Sequence, residues 1–210
     1  CTTTVMLGKA APAVYEPLKA PDCTASLAQA AACTVKLLEV TVMGMGVAVT
    51  SVEANPIPAL LVSSWGEMKF VEPIADRWME TTEARGFELD EVQQVAWGVA
   101  LADMDNDSDE DAVVTFGVLP GSSGEDFGGL YNPEDQPDAL FLRNGDRFEQ
   151  PAERPLHDPR SGRGLVAADL DRNGSMDVVI QDIDDGTHIY LNGCPEQHWV
   201  RVSLAQAGPN

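Results

Sequence analysis

The chain has 210 residues, 44% of them apolar, enough to bury a sizeable core in one domain or two small ones, so it is not a disordered chain. Thirty-four acidic residues against 13 basic give a formal charge of −21, which speaks against electrostatic binding to nucleic acid or to an anionic membrane. No apolar run reaches eighteen residues, so no transmembrane helix is expected.

Residues 1 to 42 form a leader segment with no acidic loop. Pro12, Pro17 and Pro21 favour an irregular or extended start, and Thr24 to Val40, rich in Ala and Leu, reads equally as a helix or as two strands. The leader either completes a sheet or packs across one end of the sheets that follow. A chain that begins at Cys1 also resembles a mature lipoprotein, against the plainer reading that the sequence simply starts there.

From residue 43 to residue 197 the chain repeats itself. Gly46 to Val62, GVAVTSVEANPIPALLV, aligns without gaps with two later stretches, Gly98 to Val114 and Gly164 to Ile180, which gives spacings of 52 and 66 residues. The alternate positions of the turn in this first copy are Ser51, Glu53, Asn55, Ile57 and Ala59; two prolines occupy the turn, and no metal is expected there. Ala59 to Ser63, Lys69 to Glu72 and Trp78 to Thr82 read as strands, and Glu83 to Gln94 as a polar connection. Trp65, Trp78 and Trp97 are expected between packed sheets, where large side chains are needed.

The second copy, GVALADMDNDSDEDAVVTF, sets five aspartates within nine residues between two apolar runs, Val99 to Ala102 and Ala112 to Phe116. Alternate residues of a tight loop converge on one point, and oxygen donors at positions 1, 3, 5 and 9 with a carbonyl at position 7 suit Ca²⁺. The ligands expected are Asp103, Asp105, Asp107, the backbone oxygen of Asp109, and Asp111. Without a cation or solvent to screen them, these carboxylates repel one another. Ser108 stands at position 6, where the loop turns sharply and glycine fits best, so this copy should bind more weakly than the third.

An insertion, residues 117 to 138, follows; rich in glycine and acid, it is either a mobile excursion or a binding loop. Strand Ala139 to Arg143 then meets Phe148 to Gln150 across Asn144-Gly145-Asp146, a hairpin signal. In the third copy, GLVAADLDRNGSMDVVI, the same positions give Asp169, Asp171, Asn173, Ser175 through its carbonyl, and Asp177, with Gly174 at position 6 and flanking strands Leu165 to Ala168 and Val178 to Ile180. An EF-hand would need Glu at position 12 and helices on both sides; Val114 and Ile180 stand there instead, within β-branched runs, so these are strand–loop–strand units. Ile189 to Leu191 ends at Asn192-Gly193, and His198 to Leu204 alternates as a half-buried strand does.

Gly-Val-Ala-x-x-Asp, an alternating Asp loop and a β-rich strand together resemble the FG-GAP, or VCBS, repeat of integrin-α-type propellers. The tail HWVRVSL, within residues 198 to 210, resembles the opening of the ASPIC/UnbV domain that follows such repeats in cartilage-acidic-protein-like proteins. The resemblance implies an all-β fold, a partial β-propeller of three four-stranded blades with calcium-binding hairpin loops. It also implies two Ca²⁺ ions, an extracellular or cell-surface setting (periplasmic or outer-membrane lipoprotein if bacterial), and binding rather than catalysis.

Three blades do not close a ring, and the acidic surface disfavours self-association, so a hetero-assembly or a larger parent chain with a protein or glycan partner is expected. Of the four cysteines, 1, 23, 33 and 194, the pair Cys23 and Cys33 is favoured to close a small disulfide loop in an oxidising setting, over free buried thiols. No nucleophile elbow, zinc-helix motif or phosphate loop occurs, and His157, His188 and His198 are scattered. A non-catalytic scaffold or adhesion module is therefore expected, the alternative being a carbohydrate-processing hydrolase or lyase built on the same propeller.

Overall fold

The computed structural model describes residues 44–52, 57–65, 68–75, 77–87, 95–117, 136–156, 158–183, 185–193 and 199–200. The leader with Cys1, Cys23 and Cys33, the loop residues Glu53 and Asn55, residues 118–135 of the insertion, His157, Cys194, His198 and the tail beyond Val200 lie outside the described residues.

Every regular element among the described residues is a β-strand: β1 (Gly44–Thr50), β2 (Ala59–Ser64), β3 (Lys69–Ile74), β4 (Arg77–Glu80), β5 (Ala96–Ala102), β6 (Asp111–Phe116), β7 (Ala139–Asn144), β8 (Arg147–Glu149), β9 (Gly162–Ala168), β10 (Asp177–Asp182) and β11 (Thr187–Tyr190). They form three antiparallel sheets in chain order, β1-β2-β3-β4, β5-β6-β7-β8 and β9-β10-β11. The third sheet has three strands among the described residues, where a fourth was expected.

The gapless alignment of the three copies is reproduced by strand pairing. Thr50 faces Ala59, Ala102 faces Asp111 and Ala168 faces Asp177, so each hairpin closes its loop at the same register position. A one-residue slip would turn every side chain to the opposite face, so the shared register also fixes which residues are buried.

β1 lies beside β5, and β5 beside β9. Glycine permits that approach. A Cβ on Gly46 would stand 2.7 Å from the Trp97 carbonyl oxygen, and one on Gly98 would stand 2.7 Å from Leu165 Cβ and 2.8 Å from the Arg163 carbonyl oxygen. The glycines that open the motif are therefore the points where successive sheets meet, with Ser63 Oγ donating to the Trp97 carbonyl across the first contact.

Two apolar layers fill the gaps between sheets. The first joins Leu61, Phe70, Val114, Phe116, Phe141 and Phe148 with Phe87; the second joins Val113, Val178 and Ile180 with Met104 and Leu156. Phe87 stacks on Phe148 at 4.3 Å between ring centroids and on Phe70 at 5.3 Å. Each buried phenylalanine contributes roughly 1.5–3 kcal/mol, and each ring pair about 0.5–1.5 kcal/mol more.

The structure departs from expectation in three places. Trp65, Trp78 and Trp97 are all half-buried, and the phenylalanines take the inter-sheet positions instead. Trp97 lies under the Arg163 guanidinium, 4.1 Å from its ring centroid, and donates from Nε1 to the Gly117 carbonyl, a polar role suited to a partly exposed indole. The stretch that opens at Glu83 is also more than a polar connection, because it delivers Phe87 into the core. Residues 199 and 200, expected within a strand, are not in one; the Trp199 ring lies against Gly174 of the third copy's loop.

Candidate metal centre

The three hairpin loops stand in a row, tied by side chains. Thr50 Oγ1 donates to Glu110 at 2.6 Å and Arg143 Nη1 on β7 to the Ser51 carbonyl at 3.2 Å, linking the first hairpin to the second sheet. Asn106 Nδ2 donates to Ser175 Oγ at 3.2 Å and Asn192 Nδ2 to the Met104 carbonyl at 2.6 Å, linking the second to the third.

In the second loop, carboxylate oxygens of Asp103, Asp105 and Asp111 lie within 4.8 Å of one another; in the third, those of Asp169, Asp171 and Asp177 do the same. Oxygens bound to a single Ca²⁺ at about 2.3–2.6 Å stand no more than roughly 5 Å apart, so both triads could hold a metal ion. All the donors are carboxylates, which suits a hard cation and not a thiophilic one.

The aspartates at position 1 organise the turn. Asp103 accepts from the Asp107 and Ser108 amides, each at 3.0 Å, and Asp169 accepts from the Gly174 amide at 3.2 Å. Those at position 9 are fully buried and bonded through both oxygens. Asp111 accepts from Met104 N and Arg143 N at 2.7 Å each; Asp177 accepts from Leu170 N at 2.7 Å and Asn192 N at 2.8 Å. Each thereby fastens its loop to the next strand of its own sheet or the residues just after it. Two lone pairs per oxygen leave capacity for a cation as well.

Burial pushes the Asp111 carboxyl up to about 6, against the pull of its two amide donors and with further push from Asp105 and Asp107. Asp105 is also raised, by burial and then by the charges of Asp107 and Asp103. A cation would reverse both effects, since it favours the ionised form.

The position-5 side chains also bond within their own turns. Asp107 Oδ1 accepts the Asp109 amide at 2.8 Å, and Asn173 Oδ1 accepts the Ser175 amide at 2.7 Å while its Nδ2 donates to the Asn192 carbonyl. Both side chains are exposed, and Ser175 is buried. Position 9 of the first copy, Ala59, is buried at the start of β2 and supplies no carboxylate, as its sequence implied. Arg143 and Asn192, which support the position-9 aspartates, lie beyond the motifs, and only the tertiary structure brings them in.

Ser108 adopts φ 81° where Gly174 adopts φ 93°, and position 4 is also left-handed, at Asn106 with φ 58° and Arg172 with φ 65°. Asn tolerates this region, whereas Ser and Arg carry a cost of about 1 kcal/mol or more. Ser108→Gly is therefore expected to stabilise the chain by about 1 kcal/mol in chemical denaturation, through a loop already in the required conformation. A destabilised variant would show that the serine side chain contributes more than its backbone costs.

Among the described residues, no helix is long and apolar enough to cross a membrane. No known family model matches this chain, and no curated protein matches it either.

Proposed function

We propose that this chain is a non-catalytic, calcium-binding scaffold or adhesion module. In this reading its sheets are blades of a β-propeller of the FG-GAP type, and it binds a protein or glycan partner as part of a larger extracellular assembly. The observation that carries the reading is the recurrence of one acidic arrangement at the same register position of two neighbouring hairpins, each with three carboxylates converged at a distance suited to one cation.

Asp103, Asp105 and Asp111 would hold one Ca²⁺, and Asp169, Asp171 and Asp177 the other, with the carbonyls of Asp109 and Ser175 offered from position 7. The ions would supply charge neutralisation in loops crowded with acid. The residues themselves hold the hairpin turns, tie adjacent loops together and present a rigid rim on which longer loops can carry recognition.

Calorimetric titration of chelator-stripped protein is expected to reveal two calcium sites and none from the first loop. Saturating calcium at about 1,000 times the dissociation constant should add roughly 4 kcal/mol of stability per site. Asp105→Ala with Asp171→Ala should abolish the heat of binding. Titration without heat, together with melting indifferent to calcium, would overturn the reading.

A further inference from the structure

We infer that two copies of this chain pair head to tail, the outer face of the third sheet of each seating on the outer face of β1 in the other. The molecule already makes the equivalent interface twice. The first sheet packs on the second across Gly46, and the second on the third across Gly98. Gly164 occupies the equivalent position in β9, yet among the described residues a Cβ there would meet nothing beyond the sheet's own Gln181, at 3.4 Å. Among the described residues, no strand makes the approach that its two counterparts receive.

The side chains around it tell the same story. Val166 faces Val179 across the β9–β10 pair, and Val179 faces Ile189 across the β10–β11 pair, so the three form one cross-strand row. The matching row in the second sheet is Ala100, Val113 and Leu140. There Val113 is buried and belongs to the apolar layer shared with the third sheet, with Leu140 packed against it. In the third sheet Val166 is 58% exposed and Ile189 60%, with Leu191 at 63% beside them.

On the outer face of the first sheet, β1 exposes Met45, Val47 and Val49 in alternation, Val47 at 54%. Val47 is the counterpart of Val99 and Leu165, both of which pack into the apolar layers between sheets. One end therefore carries the giving half of a repeated contact and the other end the receiving half. By the same equivalence, the Met45 carbonyl of one copy would approach Gly164 of its partner as the Trp97 and Arg163 carbonyls approach Gly46 and Gly98 within the chain.

Such a contact is heterologous, and it closes only if the rotation returns to its start. Two copies supply six sheets from the described residues, within the four to eight blades that close a propeller. Closure at two copies rests on the propeller reading proposed above, whereas the pairing of the faces rests on the sheet packing alone. The charge of −21 per chain opposes the encounter, but the apolar rows themselves consist of Val166, Val179 and Ile189 on one side and Met45, Val47 and Val49 on the other. Added salt and calcium should therefore strengthen association by screening the acidic loops.

The test is sedimentation equilibrium of the full chain in calcium, with wild type expected at twice the monomer mass of 22.5 kDa. Val166→Glu and Val47→Glu each place a charge on a face that is solvated in the monomer, so folding should survive, as circular dichroism and calcium titration would verify. Each should weaken association at least about a hundredfold. Mixing the two variants should recover part of the dimer, because one of the two contacts then joins two unaltered faces; only a heterologous pairing has this property. Larger oligomers that grow with concentration would overturn closure at two copies. A monomer in calcium, a dimer indifferent to both substitutions, or no recovery on mixing would overturn the pairing. Calcium binding by the monomeric variants is read in the same samples, so failure of the dimer and failure of the calcium reading remain distinct.

Discussion

Asp111→Ala and Asp177→Ala are each expected to destabilise the metal-free protein by about 2–5 kcal/mol, while Asp105→Ala and Asp171→Ala cost less than about 1 kcal/mol under the same conditions. All four residues belong to the carboxylate triads, so a purely metal-binding role would make them equivalent once calcium is removed. Their surroundings are not equivalent. Asp111 is fully buried and accepts the amides of Met104 and Arg143, and its loss strands two buried donors at about 1–3 kcal/mol each, offset in part by removal of a buried charge. Asp177 stands in the same relation to Leu170 and Asn192. Asp105 is partly exposed and accepts the Asp107 amide within its own loop, and Asp171 is exposed and accepts from the Asn173 amide and side chain.

Asparagine should rescue at most half of the loss, because it offers one acceptor oxygen and turns an N–H toward the second amide. Urea denaturation in chelator measures all of these variants. Equal stability of Asp111→Ala and Asp105→Ala would show that the position-9 aspartates serve the cation alone.

The second large effect is one of pH and involves no metal ligand. Asp138 is buried just before β7, where Oδ1 accepts the Phe116 amide at 2.9 Å. Burial, with a further push from the Asp182 charge, raises its carboxyl to about 7; the Phe116 amide and the Arg160 charge pull the other way without prevailing. In the unfolded chain the same group titrates at the ordinary value of 3.8. The folded protein thus binds this proton more tightly than the unfolded chain does. The contribution to stability is fully present below about pH 4 and is lost as pH rises to about 7, because ionisation then favours the unfolded state.

A difference of about three pH units corresponds to roughly 4 kcal/mol at its limit. Asp138→Asn keeps an acceptor for the Phe116 amide and removes the charge. It should match wild type near pH 4 and exceed it at pH 8 by on the order of 3 kcal/mol. Chemical denaturation of both proteins from pH 4 to pH 8, in constant chelator, isolates this group from the loop carboxylates, which titrate equally in the two. A variant less stable than wild type at pH 8 would mean that the ionised Asp138 is paired with Arg160 more strongly than it is penalised by burial.

What the sequence determined by itself is local. The spacing of Asp103, Asp105 and Asp111, and of Asp169, Asp171 and Asp177, fixed which oxygens could converge, because alternate residues of a short turn point the same way whatever the rest of the chain does. The β-branched runs after each loop fixed strands instead of EF-hand helices, and the gapless repeat fixed a common hairpin register.

What only the tertiary structure decided depends on groups far apart in the chain. Arg143 and Asn192 are remote from the motifs in sequence, and strand pairing alone brings their amides to Asp111 and Asp177. The tryptophans were expected in the core for their size, but an indole carries an N–H that must be satisfied, and the phenylalanines fill the inter-sheet space without that demand. Which valines are buried follows from whether another sheet lies against them. Val113 and Val179 occupy the same place in the repeat and differ only in their neighbours, a property of packing that no pattern along one strand can encode.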